Sequence, residues 1–222
     1  MFKETLHIPV LNQLTLFGDI IIPDNAKGIV IFSHGSGSSR FSPRNKFVAN
    51  ALQKEGIASL LVDLLTIDED KDYDNRFEIE LLTERLIEVT KWITSIEITR
   101  ELPVGYFGAS TGAASALSAA ARLCEHISCV VSRGGRPDLA QADLAHVKCP
   151  VLLIAGSLDL PVVQMNRSAY LDLNCPKEIA LVQGASHLFE EPGKLEEVAY
   201  LASNWFHEHL THQNHPNITR HA

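Results

Sequence analysis

No apolar run in the chain approaches the ~20 residues that a membrane-spanning helix needs. The first residues, Met1-Phe2-Lys3-Glu4-Thr5, lead into alternating polar and apolar positions instead of a signal-peptide core. The expected location is therefore the cytoplasm, with no membrane partner. Basic excess is lacking too: 27 acidic residues against 19 Lys and Arg leave a formal charge of −8. That balance argues against a nucleic-acid partner, whose phosphates reward a basic face. Cysteine is sparse, and Cys124, Cys129, Cys149 and Cys175 include no CxxC spacing. Reduced, partly buried thiols are expected, not a disulfide framework or a thiolate metal site. Repeats and linkers are also missing, so residues 1–222 are taken as one domain, with about 211–222 a polar tail containing histidines.

What the chain does contain is an alternation of strand and helix signals. Runs at about 4–10 and 13–22 suggest a hairpin turning at Asn12-Gln13. Continuous apolar runs at 28–32, 57–65, 103–109, 127–132, 150–155 and 178–183 have the character of buried strands. Helical spacing lies between them at about 43–55, 77–96, 111–124, 138–145, 161–172 and 194–210, and the acidic stretch 66–76 is expected to be a solvated loop. This order calls for an α/β domain: a mostly parallel sheet covered by helices on both faces.

The strongest chemical signal is Gly105-Tyr106-Phe107-Gly108-Ala109-Ser110-Thr111-Gly112, a G-x-S-x-G sequence between an apolar strand and a small-residue helix. A nucleophilic serine on such a turn needs strained backbone angles, and neighbours two positions away that carry no side chain. It also needs a base, and the base needs an orienting carboxylate. Two later loops supply them. Asp159 follows the strand at 150–155, and His187 follows the next strand within Gly184-Ala185-Ser186-His187. The order Ser110, Asp159, His187 is the one this fold uses.

The oxyanion donors are expected at the Thr111 amide and, from the loop Ser33-His34-Gly35-Ser36-Gly37, at the Ser36 amide with Gly35 as the alternative. His34 has the wrong place in the order to be the base and is expected to brace its loop. Asp138 and Asp143 resemble helix-start residues, and His146 precedes a strand. His207, His209, His212 and His215 belong to the terminal helix and tail, and no metal site is assigned to them. At the end of the sixth strand, Arg133 or Arg136 is placed to bind a substrate carboxylate, against a structural ion pair with an acid such as Asp138.

These residues resemble the α/β-hydrolase superfamily, and within it the dienelactone hydrolase-like branch, over nearly the whole chain. The resemblance rests on His34-Gly35-Ser36-Gly37, the turn around Ser110, Gly156-Ser157-Leu158-Asp159 and Gly184-Ala185-Ser186-His187. It implies an eight-stranded, mostly parallel sheet whose second strand is antiparallel. It also implies hydrolysis of esters, lactones or thioesters without a cofactor; a small-molecule substrate and a monomer or homodimer are expected. Dienelactone hydrolases proper carry cysteine as nucleophile, whereas this chain has Ser110, so carboxylesterase activity is the expectation. About 15 residues, 134 to 148, separate the sixth and seventh strands, too few for a lid, so a small open pocket is expected. The rivals are an acyltransferase of the same mechanism and a non-catalytic binding protein on this fold. Phosphoribosyl transfer, from domains sometimes fused to such modules, is discounted, because its paired acids and Gly/Thr phosphate loop are not evident.

Overall fold

The computed structural model describes residues 1–210; the histidine-containing tail lies outside the described residues. Eight strands form one sheet: β1 (Phe2–Val10), β2 (Leu14–Ile22), β3 (Ile29–Ser33), β4 (Ala58–Val62), β5 (Val104–Ala109), β6 (Ile127–Arg133), β7 (Val151–Gly156) and β8 (Lys177–Val182). Their order across the sheet is β1-β2-β4-β3-β5-β6-β7-β8. The hairpin strand β2 runs antiparallel to both β1 and β4, and every pairing from β4 to β8 is parallel. The hairpin turn is a single 3-10 turn at Leu11–Gln13, with Gln13 at φ 61°.

The apolar continuity of the central strands has a direct cause. Every residue of β3, β4, β5, β6 and β7 is buried, since helices cover both faces. One core layer joins the sheet to α2 (Ile79–Ile93) and the alanine-rich α3 (Thr111–Leu123). The other joins it to α1 (Pro43–Lys54) and α5 (Lys194–His209). The remaining helix, α4 (Leu160–Asp172), packs on β7 and β8. Parallel strands all end at the same edge, so the loops after β3, β5, β6, β7 and β8 converge there.

Three expectations need correction. The segment 138–145 is not a helix but two 3-10 turns, Pro137–Ala140 and Leu144–His146. Asp138 does not cap it, because Arg136 takes both of its carboxylate oxygens, with Nε–Oδ1 and Nη2–Oδ2 distances of 2.9 and 2.8 Å. The long helix spans 79–93 instead of 77–96. Its last carbonyls are captured by side chains, as Thr94 Oγ1 donates to Thr90 O and Ser95 Oγ to Trp92 O. The acidic stretch 66–76 is not simply solvated: Glu69 bonds Arg85 and Asp70 bonds Arg76, each at 2.8 Å, across two 3-10 turns.

Candidate active site

Ser110 stands alone between β5 and α3, at φ 53° and ψ −122°. This is a conformation that a residue with a Cβ adopts only when its surroundings enforce it. Its own amide donates to Arg133 O at 3.2 Å, and its carbonyl accepts from Arg136 N at 3.0 Å. The flanking glycines serve two different contacts. A methyl group at Gly108 would sit 2.7 Å from Gly112 O and 2.8 Å from Ala113 N, inside the turn itself. One at Gly112 would collide with Ser33 O and lie 2.6 Å from Ser33 C, so Gly112 is what lets α3 start directly against the end of β3.

Asp159 and His187 face each other from the loops after β7 and β8, with Oδ2 to Nδ1 at 2.7 Å. Asp159 occupies the N-cap position of α4 but makes no cap hydrogen bond there; its carboxylate is turned to the imidazole. With Nδ1 engaged, Nε2 is the ring nitrogen available to take or give a proton. The two loops are tied together more closely than their separation of 28 residues suggests. Gly184 N donates to Ser157 Oγ at 2.8 Å, and Leu158 N to Ala185 O at 3.0 Å. A side chain at Gly156 would collide with Ala185 O. Downstream, Ser186 N donates to both Glu191 carboxylate oxygens at 3.1 Å.

Ser110 and His187 flank a single turn after β6. Ser110 bonds the backbone of that turn at Arg133 and Arg136, while His187 Cε1 would be 3.6 Å from a methyl placed on Gly134 (φ 53°). Among the described residues no hydrogen bond joins Ser110 Oγ to His187. Such bonds commonly tighten only when substrate is bound.

The loop after β3 lies against Ser110. A Cβ on Gly35 would be 3.0 Å from Ser110 Cβ and 3.1 Å from Ala109 O. His34 Nδ1 meets Gly35 O at 3.0 Å. Thr111 is the first residue of α3, so its amide stands outside the helical hydrogen-bond ladder. The Ser36 amide donates to Thr111 Oγ1 at 2.8 Å. Beside this loop a cavity of about 270 Å³ is lined by His34, Ser38, Arg40, Phe17, Leu65 and Ile67, among others.

Arg133 is only 5% exposed. Its guanidinium donates weakly to Asn45 Oδ1 on α1 at 3.4 Å and lies 5.8 Å from the centre of the Phe189 ring. The expected ion pair with Asp138 belongs to Arg136, and no carboxylate partners Arg133 among the described residues. Burial, with Arg44 nearby, lowers the Arg133 pKa to about 10. His146 ends a 3-10 turn ahead of β7, at the opposite end of that strand from Asp159. His207 and His209 lie on α5, where His209 packs edge-on against Trp205. His212 and His215 fall outside the described residues.

The contributions of Asn45 and the Thr111 hydroxyl do not show in the sequence. Each acts by contact with a distant loop, and no local pattern marks such a partner.

Strand order, helix placement and the turn at Ser110 together define an α/β-hydrolase fold. A family model for the dienelactone hydrolase family matches residues 17–211, and the chain belongs to that family. A crystal structure of a dienelactone hydrolase from Anabaena variabilis superposes with a TM-score of 0.91 at 51% identity, over 94% of this chain and 98% of that one. Est1E from Butyrivibrio proteoclasticus, solved with ferulic acid, shares the fold at 14% identity and a TM-score of 0.79, over 92% and 98% of the two chains. Two Mycobacterium tuberculosis proteins, whose names propose a phosphoribosyl transferase, are 50% identical over 201 residues. That stretch is 90% of this chain but 45% of theirs, so the chain spans less than half the length of these curated relatives. No helix among the described residues is long and apolar enough to cross a membrane.

Proposed function

We propose that the protein is a serine hydrolase that cleaves small carboxylic esters, lactones or thioesters through an acyl-enzyme on Ser110. The observation that carries this reading is the strained turn at Ser110, set across one turn from a 2.7 Å Asp159–His187 pair. In this mechanism His187 takes the Ser110 proton through Nε2 as Oγ attacks the carbonyl carbon. Asp159 holds the imidazole tautomer and stabilises its positive form. The Thr111 amide, held against the loop of Gly35 and Ser36, receives the oxyanion. His187 then gives the proton to the leaving alcohol or thiol, and water, activated by the same imidazole, releases the acid.

Compact substrates fit the surroundings. Between Arg133 and Val151 the chain makes only two 3-10 turns, which build no lid over Ser110. Arg133, a guanidinium without a carboxylate of its own, is the proposed contact for an anionic group on the substrate. The transferase named for the mycobacterial relatives describes chains more than twice as long as the shared part. We assign that chemistry, where it exists, to the part this chain does not match.

Labelling with a fluorophosphonate probe, followed by peptide mapping, tests the reading. Ser110 should carry the adduct, and Ser110→Ala should lose both labelling and hydrolysis of short p-nitrophenyl esters, with kcat falling by about 10⁶. Near wild-type turnover by purified Ser110→Ala protein would overturn it.

A further inference from the structure

The geometry points to the side-chain hydroxyl of Thr111 as a direct oxyanion donor, with the Ser36 amide acting through it and not on the substrate. This inference rests on the serine-hydrolase reading above and sharpens the binding of the transition state within it.

Two amides, those of Thr111 and Ser36, are the donors that the chain order leads one to expect. In the structure one of them is already engaged: Ser36 N donates to Thr111 Oγ1 at 2.8 Å. The Thr111 oxygen therefore occupies the position in front of the Ser36 amide that a substrate oxygen would have to take. A hydroxyl offers one proton and two acceptor lone pairs. Since Ser36 fills a lone pair, the Thr111 proton is directed elsewhere. Thr111 is 4% exposed, and no described residue accepts that proton. A buried donor left unmade is costly, and such a group calls for a partner.

The partner has a natural place. Thr111 directly follows the nucleophile, and the loop that bonds its hydroxyl packs on Ser110 through Gly35, with a Gly35 Cβ 3.7 Å from Ser110 Oγ. In one threonine, N and Oγ1 are separated by only two carbons, so in a gauche rotamer both reach a single acceptor. As Ser110 Oγ attacks, the carbonyl oxygen gains negative charge and accepts from Thr111 N–H and Thr111 Oγ1–H together. No proton leaves either donor. The hydrogen bond received from Ser36 polarises the hydroxyl and strengthens its donation.

The opposing reading is a plug: the hydroxyl merely covers the Ser36 amide and must move aside. The two readings predict opposite signs. Wild type, Thr111→Ala, Thr111→Val and Thr111→Ser are compared for kcat and KM on p-nitrophenyl acetate, and for inhibition by a phenylboronic acid, which forms a tetrahedral adduct with an active serine. Loss of an oxyanion donor should lower kcat by about 10²-fold in the Ala and Val variants. KM should stay within about threefold and boronate affinity should fall in step with kcat, while Ser restores most of the rate. Val keeps the shape of the side chain if Ala loosens the start of α3, and thermal melts identify any unfolded variant. Thr111→Ala turning over as fast as wild type or faster overturns the inference, as does a loss below tenfold in both variants or one that Ser does not repair. Absence of wild-type turnover and Ser110 labelling would instead sink the serine-hydrolase reading, and this inference with it.

Discussion

Arg133 shows how one residue can escape a reading made along the chain. Sequence proximity favours an ion pair with Asp138, five positions on, but the fold turns the guanidinium toward Asn45 on α1, 88 residues away. Its Nε is buried and has no partner among the described residues. Burial and Arg44 depress its pKa only to about 10, so the positive charge persists at neutral pH. An uncompensated buried charge is expensive, and an anionic substrate group would relieve it. Arg133→Met is therefore expected to lower kcat/KM by tenfold or more for an ester carrying a free carboxylate, and by less than about threefold for a neutral ester of similar size. Equal losses on both esters would assign Arg133 to structure alone. By contrast, the strained turn at Ser110 and the meeting of Asp159 with His187 were legible, because each leaves a local trace: flanking glycines, a strand end, a fixed order.

Packing between elements holds a similar asymmetry at α2 and β5. Thr90 Oγ1 donates to Leu86 O at 2.7 Å, so in its 2.6 Å contact with Tyr106 the phenol must be the donor. Full burial raises the Tyr106 pKa and keeps that proton in place. Tyr106→Phe leaves Thr90 still bonded to Leu86 and should cost about 0.5–1.5 kcal/mol. Thr90→Val strands a buried phenol and should cost more, about 1–3 kcal/mol. Urea unfolding of the two variants checks the order, and a more destabilised Phe variant would contradict it. The eight strands and the longer helices were legible from periodicity; element ends, and the segment 138–145, were not. The helical signal continued to position 96, yet hydroxyl groups on Thr94 and Ser95 closed the helix early, and 138–145 had helical spacing but too little chain for a helix once Asp138 was bound to Arg136.

For the molecule as a whole, stability should titrate with the loop that carries His187. Hydrogen bonds from Ser186 hold the Glu191 carboxyl below its ordinary value of 4.5. A carboxylate favoured in the folded state stabilises the fold above that ordinary value, and the contribution disappears as pH falls through the lower folded value. The melting temperature of Glu191→Gln should thus lie below wild type at pH 7, with the gap closing on acidification below about 4.5. A gap that stays constant from pH 7 to 3 would exclude the linkage. The lateral order β1-β2-β4-β3-β5-β6-β7-β8 could not be read from hydrophobic pattern, which marks strands without naming their neighbours. The antiparallel second strand was available only through family resemblance.

Gly112 seats the Ser110 turn under the end of β3, and Gly156 seats the Asp159 loop under the loop of His187. The three side chains of the proposed mechanism therefore come as two prefabricated sub-assemblies, one holding Ser110 and the other the Asp159–His187 pair, meeting along the seam at 133–136. Each can be altered with little disturbance to the other's internal contacts. An exchange of serine for cysteine at position 110 lies wholly on one side of that seam. On the proposed mechanism, a change of attacking atom at position 110 therefore leaves the Asp159–His187 pair and its loop contacts in place.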